Sequence, residues 1–136
     1  KWLRAKYPDV RNSVMTPNGL AGSMGINGMS VLVATRRRLP EIRVVETHPK
    51  VLYWALARRK YSYAASSSDM DAMLGEAIGA ECRTSNDHEW DALLSAFAAA
   101  RGIQGRWTND LHALPTGLDS RIISPCCGTT NYYWPE

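Results

Sequence analysis

Cysteine is scarce in this 136-residue chain, at three residues. The count is odd, and Cys126 and Cys127 are adjacent while Cys82 stands alone. That pattern argues against a secreted disulfide framework and points to a reducing, cytoplasmic compartment. Cys126-Cys127 also lacks the second Cys or His pair that a zinc site needs. No apolar run approaches the roughly 20 residues required to span a membrane, and no charged-then-apolar leader opens the chain. Charge of one sign is not in large excess. The formal net charge of +3 does not by itself announce a nucleic-acid partner. Internal repeats and long linkers are missing too, so residues 1–136 read as a single domain. The opening 28 residues show no strand pattern. They hold a short helical fragment at most, then an irregular stretch rich in Pro17, Gly19, Gly22, Gly25 and Gly28.

What is present suffices for a core, with 45% of residues apolar. Residues 29–39 read as a helix ended by Pro40, because the residue before proline resists the helical region. Ile42-Arg43-Val44-Val45-Glu46 is short, β-branched and bounded by prolines, which is a strand signature. Pro49 suits the first turn of a following helix, where its missing N–H costs nothing. That helix runs through Val51, Leu52, Trp54, Ala55 and Leu56 to about Lys60. After the break Ser66-Ser67-Ser68, residues 69–78 read as a helix with Gly79 as its stop. The clearest helix follows, with Trp90, Leu93, Leu94, Phe97 and Ala98 at the spacing of one apolar face. Ser85 or Asn86 caps its start, and Arg101-Gly102 closes it. The remainder is turn-rich, with a short apolar run at Ile122-Ile123 and an aromatic tail, Tyr132-Tyr133-Trp134.

Two segments carry chemistry. Val44-Val45-Glu46-Thr47-His48-Pro49 delivers a carboxylate at a strand end, and Asp87-His88-Glu89-Trp90-Asp91 delivers acidic and imidazole groups at a helix start. Two-metal phosphoryl transfer needs oxygen ligands converging on cations about 3.5–4 Å apart. His88 and Asp91 are three residues apart and share a helix face; Asp87 stands in as a substitute ligand. Arg36, Arg37 and Arg38 form one basic knot, and Arg58, Arg59 and Lys60 another, suited to phosphate contact. Each residue also has a plainer reading. Asp87 favours the positive end of a helix dipole, His48 is a turn residue, the arginines are solvated surface, and the aromatic tail is packing. Asp91 is the hardest to dismiss, because it borders the apolar stripe.

In order and spacing, these segments resemble domain-of-unknown-function family 429. The resemblance runs from the Val44–Pro49 turn and Lys60-Tyr61, through Asp87-His88-Glu89-Trp90-Asp91-Ala92-Leu93 and the alanine-rich stretch to Gly102, to Tyr133-Trp134-Pro135. It spans roughly residues 40–136. Members of that family look like ribonuclease H-like, metal-dependent nucleases. The resemblance implies an α/β fold, a mixed sheet flanked by helices with an acidic cluster at its edge. Glu46 matches the strand glutamate and Asp91 the helical aspartate. His88 falls where many relatives carry another aspartate, in a His-x-x-Asp pair similar to that of some Holliday-junction resolvases. The family opens with a β-hairpin bearing a glycine-rich turn and the first catalytic aspartate. Residues 1–25 contain no such strand, and Asp9 in Tyr7-Pro8-Asp9 sits in the wrong context.

The expectation is therefore the C-terminal part of a ribonuclease H-like domain, lacking its N-terminal strands, with 1–28 irregular and 29–136 forming core and tail. Another chain, or the missing N-terminal part, is expected to cover the open sheet. The expected activity is hydrolysis of phosphodiester bonds in DNA or RNA with Mg²⁺ or Mn²⁺. Glu46, Asp91 and His88 are the catalytic and metal residues, Asp87 is a further ligand, and the two basic knots grip the backbone. The opposing expectation is a catalytically inactive ribonuclease H-like subunit acting in nucleic-acid binding or complex assembly. A small-molecule phosphohydrolase is a third possibility.

Overall fold

The computed structural model describes residues 2–14, 22–114 and 129–135, with only the backbone of residues 22–24. The expected features at Pro17, Gly19, Ile122-Ile123 and Cys126-Cys127 lie outside these residues. The described chain is mostly helical. It comprises α1 (Trp2–Lys6), a 3₁₀ turn (Pro8–Ser13), α2 (Gly22–Arg38), α3 (Pro49–Ala57), α4 (Tyr63–Ile78), α5 (Asp87–Ile103), β1 (Asn109–Asp110) and β2 (Tyr133–Trp134). No described helix is long and apolar enough to cross a membrane.

Local chemistry explains most boundaries. α2 stops before Leu39-Pro40 but begins earlier than its apolar pattern suggests. α3 has its proline in the first turn. It ends at Ala57 rather than near Lys60, because Arg58 adopts the left-handed conformation (φ 55°) and its N–H returns to Trp54 O. The serine run does not break the chain. α4 passes through it with a kink at Ser66 (φ −147°), whose hydroxyl donates to Ser62 O at 2.8 Å, a local bond that competes with the helix ladder. Gly79 ends α4 at φ 80°. α5 carries a reciprocal cap: Asn86 Oδ1 accepts from Glu89 N (3.0 Å) while Glu89 Oε2 accepts from Ser85 N (2.8 Å).

The sheet is smaller than the sequence leads one to expect. β1 and β2 pair antiparallel, Asn109 against Trp134 and Asp110 against Tyr133. The expected strand over 42–46 reduces to one parallel bridge, Val45 with Asn131. Two bonds hold it, Glu46 N to Asn131 O (2.8 Å) and Asn131 N to Val44 O (3.0 Å). The tail thus lies between the 44–46 segment on one side and residues 109–111 on the other. The described residues contain no larger sheet.

The core joins the tail to the helices. Trp90, Leu94 and Ala98 of α5 are buried with Val51, Leu52 and Tyr53 of α3, Met70 and Leu74 of α4, and Trp134. A second aromatic group, Trp2, Tyr7 and Trp134, closes the opposite side, and Trp134 Nε1 donates to Tyr7 Oη at 3.0 Å. Gly102 matters here: a Cβ at that position would fall inside the Tyr133 ring. The α5–β2 contact therefore requires glycine.

Candidate active site

Glu46 sits one residue beyond the bridge, where the extended segment leaves the tail and turns toward α3. Its Oε2 lies 3.0 Å from His112 Nε2. The other imidazole nitrogen, Nδ1, is 2.6 Å from Thr130 O. A carbonyl and a carboxylate both accept, so the two contacts are hydrogen bonds only with an N–H on each ring nitrogen, Nδ1 donating to Thr130 and Nε2 to Glu46. His112 itself is placed by Asp110, whose Oδ1 accepts from His112 N (3.0 Å) and Tyr132 N (2.8 Å) and whose Oδ2 accepts from Asn131 Nδ2 (2.8 Å). Burial alone would push the Asp110 carboxyl up. These hydrogen bonds and the nearby imidazole outweigh it and hold the group below its ordinary range.

Asp91 lies in the second turn of α5, beside the buried Trp90. Its Oδ1 is buried and has no hydrogen-bond partner among the described residues. Burial pushes its carboxyl up, while the Tyr61 hydroxyl and the Lys50 ammonium pull the other way. Tyr61 is displaced upward in turn, first by burial and then by Asp91. Lys50 Nζ stands 5.2 Å from the Tyr61 ring centroid, and that ring packs edge-on against Trp90 at 5.6 Å.

His48 feels the charge of both carboxylates. It precedes α3 and is half-buried, which lowers its basicity. A hydrogen bond with the Ser13 backbone and the charges of Glu46 and Asp91 oppose that effect, while Lys50 adds to it. Glu46 and Asp91 thus act on one imidazole from two elements. Even so, no three His, Cys, Asp or Glu side chains among the described residues gather closely enough to hold one metal ion.

His88 is not brought inward. Its side chain is 93% exposed, and Nε2 meets Asp87 Oδ1 at 4.0 Å. Asp87 is half-exposed at the helix start and, like His88, reaches Asp91 only through charge. The basic knots divide. Arg36 is buried, and its guanidinium donates to Thr129 O and to Thr130 Oγ1 (3.4 Å). Arg36 therefore ties α2 to the residue that anchors His112, a tertiary role the sequence did not suggest. Arg37, Arg38, Arg58, Arg59 and Lys60 are exposed. Arg59 pairs with Asp69 at 3.7 Å, a solvated contact of little energetic weight. Arg58 lies 5.9 Å from the Tyr7 ring centroid.

Sequence reading missed His112, Asp110, Lys50 and Tyr61 as site residues and set His48 aside as a turn residue. One signal was legible: Asp110-Leu111-His112 has the spacing of an Asx turn, in which an Asp side chain accepts the N–H two residues on. Pairing of that turn with Glu46 was not legible, because it depends on the tail lying between them. No protein-family model, curated protein or solved structure matches the chain.

Proposed function

We propose that this chain is a metal-dependent, nuclease-like protein acting on phosphodiester bonds, built on part of a ribonuclease H-like α/β domain and related to domain-of-unknown-function family 429. The observation that carries the reading is the Asp91 carboxylate. A buried carboxylate oxygen without a hydrogen-bond partner is costly, and a cation would complete it. Glu46 supplies the second carboxylate. Mg²⁺ and Mn²⁺ favour oxygen donors, and Mg²⁺ is commonly held by one or two carboxylates together with water and substrate phosphate. Asp91 and Glu46 suit such a donor set chemically without forming a closed cage. When bound, the cation would polarise a phosphoryl oxygen and acidify a bound water.

The chain's own residues supply the rest. Lys50, close to Asp91 and Tyr61, would meet a substrate phosphate in this reading. Arg37 and Arg38 follow Arg36, which is bound to Thr130 beside His112, and in this reading they would contact substrate phosphate. Lys60 precedes Tyr61 and is exposed with Arg58 and Arg59, and in this reading the second knot would add a further phosphate contact. His88 and Asp87 lie at the rim, and their part is to attract cation or substrate rather than to bind the first cation.

A second reading, a subunit that binds nucleic acid or assembles a complex without cleaving, draws on α2. Its residues Ile26, Met29 and Val31 are exposed at 70%, 58% and 66%, an apolar surface that assembly would bury. Cleavage of labelled DNA and RNA with Mg²⁺ or Mn²⁺ separates the two, using wild type, Glu46→Gln and Asp91→Asn. The nuclease reading expects cleavage by wild type and a loss of at least 100-fold in each variant. Equal cleavage in all three removes these carboxylates from the mechanism. Salt-sensitive binding without cleavage selects the second reading.

A further inference from the structure

We infer that α2 is an assembly arm whose apolar face seats in the groove between α3 and α4 of a second copy of this chain. The inference goes beyond the nuclease reading and uses none of its carboxylates. Every residue from Gly25 to Val31 is exposed, and no α2 side chain belongs to the hydrophobic core of the described residues. The first half of the helix therefore overhangs the body. It is a poor helix in isolation, since Gly25 and Gly28 interrupt it and Ile26 and Val31 are β-branched. A surface that packs on it would hold it helical. Ile26, Met29, Val33 and Arg37 fall at i, i+3, i+7 and i+11, on one face.

The same chain carries a groove without a helix. Two cavities of about 470 and 400 Å³ share Met73 and Glu76 and form adjacent stretches of it. Leu56 of α3, Met73 and Ala77 of α4 and Phe97 of α5 give it an apolar lining. Along α4 it runs from Asp69 to Ala77, about 12 Å, and the anchors Ile26 to Val33 span about 10 Å. The charges select the occupant. Both arginines of the groove are engaged within the chain, Arg59 with Asp69 at 3.7 Å and Arg101 with Ala77 O at 3.0 Å and the Phe97 ring. Glu76 lines both stretches and has no ion pair among the described residues. α2 has no acidic residue and brings Arg37 on the face of its apolar anchors. Anchors at i, i+3 and i+7 entering an apolar groove are a recurrent way for one chain to hold another's helix. Within one chain, Arg36 fixes α2 beside Thr129 and Thr130, so the arm reaches the groove of another copy. Exchange of arms in both directions closes a two-fold dimer.

Sedimentation equilibrium of the full chain, without nucleic acid, tests this in wild type, Met29→Glu, Arg37→Glu, Glu76→Arg and the double variant Arg37→Glu/Glu76→Arg. Wild type should associate reversibly to dimers as its concentration rises. Each single variant should weaken association about 10-fold or more. The double variant restores opposite charges across the contact and should recover most of the loss. All three positions are exposed, and circular dichroism with melting temperatures separates weakened association from a failure to fold. A wild type that stays monomeric overturns the inference, as do dimers that persist unchanged in Met29→Glu or Glu76→Arg. A double variant no better than its parents removes the Arg37–Glu76 pairing, and α2 with it, from the groove. None of these results bears on cleavage by Glu46→Gln and Asp91→Asn, so the nuclease reading stands or falls separately.

Discussion

Asp91 and Asp110 are carboxylates of one small chain whose surroundings push their protonation in opposite directions. Asp110 is held below its ordinary value of 3.8, so it favours the folded state above that pH, and the benefit is lost as pH falls through its folded value. Asp110→Ala removes the acceptor for three hydrogen bonds and should cost about 2–3 kcal/mol at pH 7, read by urea denaturation. Asp91 is displaced above 3.8. Its penalty is absent below that value, grows as pH rises through its folded value, and is complete at neutral pH. Asp91→Asn should therefore raise Tm at pH 7 by on the order of 2–4 °C. The gain should shrink as the pH is lowered toward 4, while cleavage is lost. A variant that is no more stable than wild type at pH 7 would show that the ionised carboxylate is already satisfied. Stability given up at Asp91 is the pattern expected of a residue kept for chemistry.

Among the elements, α5 matters most, because it supplies both Asp91 and the surface on which the tail rests. Its start depends on the Asn86–Glu89 cap, and Asn86→Ala should cost about 1 kcal/mol in thermal or chemical unfolding. Its end depends on Gly102, over which the Tyr133 ring lies. Gly102→Ala should cost about 1–3 kcal/mol through overpacking. Combining it with Tyr133→Ala should cost less than the two single effects added together, since the variants share one contact. Strict additivity would place the strain elsewhere. The helices were largely legible in the sequence: periodic apolar residues, Pro49, Asn86 and Gly79 act locally and mark α3, α4 and α5. The serine run misled because hydroxyl-to-backbone bonds kink a helix without ending it. The strand over 42–46 was legible as extended chain but not as a sheet member, since its one partner, Asn131, is some 85 residues away.

At the scale of the whole molecule, mild net charge conceals two short exposed basic runs, Arg37-Arg38 and Arg58-Arg59-Lys60. If these grip a phosphate backbone, log K for nucleic acid should fall linearly with log salt, and replacing Arg37 and Arg38 by Ala should reduce the slope by about 1–2. Arg36→Ala should instead lower Tm, because that guanidinium is buried against Thr129 and Thr130. A uniform effect of all three arginines on binding, with no change in Tm, would contradict this division. By itself the sequence determined the helices, the apolar stripe of α5 and the presence of Asp91 at its border, because those features follow from neighbours within a turn or two. Only the tertiary structure decided which groups meet. It set His112 against Glu46, withdrew Arg36 from the surface and left His88 in solvent. The first two outcomes depend on the tail of the chain returning between segments remote in sequence, and local patterns carry no information about that pairing.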